Sequence, residues 1–207
     1  MVIDSYTSLI ARIQSYLVRG DLAAEAPGLV QVWEEAFYRQ PLNHGAWLEQ
    51  PLNGTIAAGV IAVPADYLNL KNAYVNASPS WRLDFVSVDV LLGRYPRGSG
   101  TGQPGLMARE RENFIFGPAA DSGYNVKGTY YGKPTPLRSF ASDAAANWLI
   151  LNAPDLVLFG SLVNAESFVK NDSRVALWQQ MYSQALKDYR DLIEAEKWSM
   201  PSGEVLA

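Results

Sequence analysis

A stripe near the C-terminus constrains this chain more than any other feature. Val175, Trp178, Tyr182, Ala185, Tyr189 and Leu192 recur at alternating spacings of three and four. An α-helix turns once in about 3.6 residues, so this spacing puts all six side chains on one face. No other stretch is as long or as regular. Upstream, Leu156, Phe159, Leu162, Val163 and Phe168 mark a second helix. On pattern alone the two are a pair of core helices. Asn152 is placed to cap the upstream helix, Pro154 is tolerated in its first turn, and Asp155 complements the helix dipole. Asn171 or Asp172 is placed to cap the last one. Gly160 falls inside the upstream helix, where glycine costs about 1 kcal/mol against alanine. Close approach of another helix or of a Trp ring would compensate.

Composition narrows what such a chain can do. Its 207 residues suit one large domain or a compact domain with a sizeable insertion. The net charge of −4 argues against sequence-independent nucleic-acid binding, which needs clustered Lys and Arg. There is no cysteine, so disulfides, thiolate metal sites and Cys nucleophiles are excluded. His44 is the only histidine. A metal site would rest on carboxylates, and a hydrolase triad on that one imidazole. Asp4 and Arg12 interrupt any apolar leader, and the apolar runs are shorter than a membrane span. The expectation is a soluble protein with no membrane partner.

Two short helices are predicted at the front. Leu9, Ile10, Ile13, Tyr16 and Leu17 form one face after the capping residues Asp4, Ser5 and Thr7, and Gly20-Asp21 closes the helix. The second runs over 27–39, burying Leu29, Val30, Trp33, Ala36 and Phe37 and leaving Gln31, Glu34 and Glu35 wet, until Pro41 stops it. The middle changes character. Strands are predicted at 68–77, 81–85, 106–116 and 124–131, with a short helix capped by Ser87 between the second and third. Val90, Leu91 and Tyr95 are its expected inner face. The fold class predicted is α+β, with N- and C-terminal helices forming a helical bundle and a small antiparallel β-sheet inserted between them. In a single domain spanning 1–207, the N-terminal helices take 1–40, the β-rich insertion 41–137, the C-terminal helices 145–198 and a flexible tail 199–207.

Several motifs invite a chemical reading. Gly100, Gly102 and Gly105 match a dinucleotide-binding pattern, but Pro104 lies inside it and a strand follows, so a loop is expected. Glu110 and Glu112 would share a strand face, roughly 6–7 Å apart, a distance that could serve glycoside hydrolysis. Flanking Arg109 and Arg111 favour a solvated strand or a contact between subunits. His44 sits in a turn with no nucleophile elbow nearby, as a surface or turn histidine. Trp47 and Trp81 have no core position on a helix, and an exposed aromatic marks a protein interface more often than a ligand site. No catalytic, cofactor-binding or metal residue is assigned, and no cofactor.

The C-terminal phrase carries a resemblance. Asn147-Trp148-Leu149, then Asn152-Ala-Pro-Asp155-Leu156-x-Leu158-x-Gly160-x-Leu162, resembles a signature of tailed-phage head-to-tail adaptor (connector) proteins. Phe168-Val-Lys170-Asn-Asp172, then Trp178 and Tyr182, continue it in order. Tyr6-Thr-Ser-Leu9, Val63-Pro64-Ala-Asp66-Tyr67-Leu68 and Tyr130-Tyr131-Gly-Lys-Pro134-x-Pro136-Leu137 are similar as well, so the likeness spans nearly the whole chain. One departure is the Gly-rich loop 97–105, longer than the resemblance leads one to expect. The resemblance implies a virion structural protein without enzymatic activity. Such adaptors form a ring, commonly a dodecamer, beneath the portal protein, and offer a docking surface to tail, nozzle or fibre proteins at the particle's neck. DNA passes through the channel without sequence-specific binding, and assembly takes place in the host cytoplasm. The rival readings are a carbohydrate-binding or glycan-cleaving virion component using Trp47, Trp81, Glu110 and Glu112, and another tail or capsid accessory protein.

Overall fold

Helix α5 (Pro154–Val163) is what the other helices gather around. The computed structural model describes residues 2–18, 24–140, 147–167 and 174–198. Every residue from Leu156 to Leu162 is buried, so α5 has no polar face. A helix apolar all round must be covered on all sides. Four others touch it: α1 (Tyr6–Leu17), α2 (Ala26–Tyr38), α4 (Trp148–Asn152) and α6 (Arg174–Trp198). Its one buried hydroxyl is satisfied locally, Ser161 Oγ donating to Val157 O at 2.7 Å.

Local chemistry starts each helix. Ser5 accepts the Ser8 N–H at 3.2 Å, and Ser8 Oγ returns a bond from Ser5 N at 3.0 Å. This is a capping box with serine in place of the usual Glu. Leu9, Ile13 and Leu17, four apart, then point inward. Pro27 lies in the first turn of α2, where its missing N–H costs nothing. Asn147, not Asn152, does the capping near α5. Its Oδ1 accepts Leu149 N–H at 2.7 Å and starts α4. Asn152 is the last residue of α4 and donates back to Trp148 O, while α5 begins without a side-chain cap. The expected cap at Asn171 or Asp172, the Gly20-Asp21 closure, Phe168 and the tail 199–207 lie outside the described residues.

The long stripe on α6 holds with one exchange. Val175, Trp178, Ala185 and Tyr189 are buried, but Leu192 is 45% exposed and Ile193 is buried in its place. A strict three-four alternation averages 3.5 residues per turn, and a straight helix at 3.6 drifts away from it. By the fifth turn the buried line has moved on by one residue. On α2 the exception is Glu34, expected wet but only 4% exposed. Its carboxylate accepts the Leu137 N–H, at 3.0 and 3.3 Å to the two oxygens. A buried backbone donor left without that partner would cost about 1–3 kcal/mol.

The contacts divide the chain into two compact units, 1–47 with 134–207, and 48–133. The second overturns the expected plan of a helical bundle carrying one small antiparallel sheet. Among the described residues the fold is mixed, with six α-helices and ten strands in three sheets. The first sheet orders β1 (Glu49–Thr55), β10 (Asn125–Gly132), β3 (Tyr67–Val75) and β4 (Trp81–Arg82), all antiparallel. The second orders β2 (Val60–Ala62), β8 (Asn113–Gly117), β7 (Leu106–Glu110) and β5 (Asp84–Phe85), the last pair parallel. The third joins β6 (Thr101–Gly102) and β9 (Ala119–Ala120), also parallel. A helix α3 (Val88–Arg94), capped as expected by Ser87, follows β5. It buries Leu91 but leaves Val90 56% exposed.

Two stretches read as single strands are not. At 81–85 the chain changes sheets: Trp81-Arg82 pairs with β3, Leu83 is buried and donates to Ala73 O, and Asp84-Phe85 pairs with β7. At 106–116 a hairpin turns at Arg111-Glu112, with Arg111 at φ 56. One core serves both four-stranded sheets: Leu52, Val75 and Val126 from the first meet Ile61, Met107, Phe114 and Phe116 from the second.

Candidate functional site

An aromatic cluster occupies one part of the helical unit. The rings of Trp47 and Trp148 stack at 5.0 Å with 5° between planes, and Tyr189 meets Trp148 edge-on at 6.2 Å. Trp47 Nε1 donates to Tyr189 Oη at 3.1 Å, and Tyr189 Oη donates to Asn43 O at 2.7 Å. Asn43 is tied twice more. It donates to Phe37 O at 3.0 Å and accepts from Arg190 Nε at 3.0 Å, while Arg190 also reaches Gln40 Oε1 at 2.9 Å. These bonds fix the 40–47 turns onto α6. Trp47 is therefore a half-buried clasp rather than a free platform. His44, expected at a surface or turn, is 3% exposed, with Nε2 at 3.0 Å from Tyr38 O.

Burial acts on the phenols here. It pushes Tyr189 up to about 12, and the charge of Glu196 adds to this while the bond from Trp47 opposes it. Tyr38 is raised further, by burial and then by the Glu34 carboxylate. Both hydroxyls stay neutral in the folded chain at pH values where an unfolded chain has released its phenolic protons, near 10. Stability is thus complete below about pH 10 and falls between there and 12, by about 1.4 kcal/mol per pH unit for each such tyrosine. Urea unfolding at about pH 8 and about pH 11 is expected to show this loss, with Tyr189→Phe removing one tyrosine's share of the slope.

The sheet unit offers a different surface. Ala73 and Val75 point into the core and Tyr74 away from it, 38% exposed. The register places Asn53, Lys127, Tyr74 and Arg82 in one row across β1, β10, β3 and β4. Nothing in the sequence singled out this row. The sequence groups Tyr74 with Leu68 and Leu70 as the alternating apolar positions of a half-buried strand, but Ala73 and Val75 take the core and Tyr74 turns out, and the strand order that aligns it with Lys127 is written in neither strand.

Glu110 and Glu112 do not share a strand face. Glu110 ends β7 and is bound by Arg97 at 2.6 Å, while Glu112 lies in the hairpin turn. Trp81 is anchored, donating from Nε1 to Pro104 O at 2.8 Å and packing edge-on to Tyr124. Through Trp81 and Arg97 the Gly-rich segment is pinned at two points. Gly102 belongs to β6, and Gly98 and Gly100 take positive φ of 81 and 109. Among the described residues no group of three or more His, Asp or Glu is placed to hold a metal ion, and no helix is long and apolar enough to cross a membrane.

The helical unit is closed by two stacked indoles, and the sheet unit carries an aromatic-basic face. The family model of the SU10 adaptor protein matches residues 4–204. The chain belongs to that family, a family of phage head-to-tail adaptors. It is accordingly a phage structural protein, located in the virion, of a kind that interacts with portal and tail proteins. A search of curated proteins finds no match.

Proposed function

We propose that the protein assembles into a ring, a dodecamer, that joins the portal to the tail and lines the channel through which DNA passes. The observation that carries this reading is the family match over residues 4–204. The subunit has no catalytic activity in this role. It meets the portal protein on one side of the ring and tail, nozzle or fibre proteins on the other, and it joins the particle in the host cytoplasm. The net charge of −4 supports a channel wall along which phosphates slide without sticking. A closed ring needs two different faces on each subunit, which the helical and sheet units could provide.

Native mass measurement with and without purified portal rings tests the reading. With portal, the mass is expected to rise by about twelve subunits, and the protein to be found at the neck of purified particles. A chain that stays monomeric under both conditions, and is missing from particles, would overturn it.

A further inference from the structure

Helix α6 carries a second stripe, beside the face it turns to its core. Leu177, Met181, Gln184, Asp188, Leu192 and Ala195 follow one another at spacings of three and four. Leu177 is 54% exposed, Met181 42% and Leu192 45%. A surface helix ordinarily keeps apolar residues for its buried side. Beside the stripe an open groove of about 740 Å³ runs between α5 and α6, with Phe159 and Met181 in its lining. Exposed Asp188 stands on the stripe and exposed Asp191 beside it, and among the described residues neither makes an ion pair. The stripe is apolar at intervals, with Asp188 and Asp191 between, while Lys187 lines the groove alongside Asp188.

The row on the first sheet is its complement. Tyr74 stands between Lys127 and Arg82. Lys127 has no ion-pair partner among the described residues, and Arg82 pairs only with exposed Asp84, at 3.2 Å. A pair so exposed holds its partners weakly. Charge is also unequal between the units. Residues 48–133 hold eight Lys and Arg against seven Asp and Glu, and the rest of the chain holds nine against fourteen. The helical unit is thus at −5 and the sheet unit at +1.

We infer that the outer stripe of α6 docks on the Lys127–Tyr74–Arg82 face of a second copy of this chain, with Tyr74 covering Leu192 and the two cations facing Asp188 and Asp191. The inference rests on the ring reading and names the contact by which neighbours meet. Two different surfaces meet, so the contact is head-to-tail and repeats from copy to copy. A DNA backbone is the poorer occupant. Three cations on this face, with Glu49 already on Lys71 at 2.6 Å, fall short of the cluster that duplex binding needs.

The chain has no cysteine, so introduced cysteines report this contact cleanly. The Tyr74→Cys, Leu192→Cys double variant of the full chain is oxidised without portal and run on a non-reducing gel. A ladder extending beyond dimers is expected, and each single variant gives at most dimers. In parallel, Lys127→Glu with Arg82→Glu, and separately Asp188→Lys with Asp191→Lys, should each cut assembly on portal rings by about tenfold or more through like-charge repulsion. Combining all four should restore it. Circular dichroism checks that each variant is folded. No ladder from a chain that does assemble on portal overturns the inference and leaves the ring reading intact. So does normal assembly by either charge variant, or failure of the combination to restore. If Lys127→Glu with Arg82→Glu instead weakens duplex-DNA binding at low salt and leaves assembly untouched, the face belongs to nucleic acid. A wild-type chain that never assembles on portal removes the ring reading, and the ladder then still decides whether two copies meet this way.

Discussion

Gly160→Ala is expected to destabilise the helical unit by about 2–4 kcal/mol, although alanine is the better helix former. Propensity alone predicts the opposite, a gain of about 1 kcal/mol. The decisive fact is what a methyl group would meet. A Cβ built at Gly160 falls inside the indole of Trp33, against Nε1 and Cδ1. Trp33 has nowhere to retreat: it is 3% exposed and its ring lies 5.1 Å from that of Phe37. The glycine is therefore the seat that lets α2 lie against α5. Because the obstacle is a side chain, the damage should be relievable. Trp33→Leu alone leaves a cavity and costs about 2–4 kcal/mol. In the Gly160→Ala background the same change should cost much less, since the new methyl occupies part of that space. Urea unfolding of the four proteins of this cycle should give a favourable coupling of about 1–3 kcal/mol. A Gly160→Ala protein as stable as the parent would refute the packing account.

How far the sequence revealed this fold depended on how local each signal was. Ser5 and Ser87 start helices through bonds spanning three residues, Pro27 suits a first turn because it has no N–H to satisfy, and all three are legible in the sequence. The α6 stripe was legible too, save for its last member, because a 3.5-residue alternation and a 3.6-residue helix separate only after several turns. The compensation required at Gly160 was anticipated, and the ring that supplies it is Trp33. The sheets were harder. The alternation over 81–85 is genuine, yet Leu83 is where the chain leaves one sheet for the other, and a pattern of inward and outward residues does not say which sheet a residue faces inward from. The hairpin at Arg111-Glu112 has neither Gly, Asn nor Pro at its turn, so the usual punctuation was missing. The two parallel pairings join segments far apart in sequence. For the candidate surfaces the same distinction holds. The family could be read from the Asn147–Leu162 phrase. The Trp47–Trp148 stack and the Asn53–Lys127–Tyr74–Arg82 row depend on which distant segments become neighbours, and no local pattern encodes that.

Gly128→Ala is expected to be worse, and beyond rescue. Gly128 lies in β10, the strand with β1 on one side and β3 on the other. A Cβ there would fall inside the carbonyl oxygen of Asn72 and lie 2.9 Å from Ala73 Cα. Both obstacles are main chain of the neighbouring strand, just before the pairing slips register between Thr129 and Tyr130. A side chain can swing away from a clash; a hydrogen-bonded backbone can only separate. Relief therefore means parting β10 from β3, or sliding one past the other. A one-residue slide would turn Val126 and Tyr130 out of the core and Lys127 into it. The expected loss is about 3–5 kcal/mol, above that at Gly160. Neither Asn72→Ala nor Ala73→Gly removes the offending atoms, so neither should restore stability. The near-ultraviolet circular dichroism of the sheet aromatics, Trp81 and Tyr130 among them, should collapse at urea concentrations the parent tolerates. If either second-site change restores the parent's midpoint, the clash lies in a side chain and the account is wrong. The functional consequence follows from the same geometry. Lys127 and Tyr74 sit on the two strands that Gly128 allows to approach, so separating them dismantles the face assigned to the neighbouring copy. Loss of assembly in Gly128→Ala should accordingly track the loss of the sheet signal, whereas Lys127→Glu with Arg82→Glu should lose assembly with that signal intact.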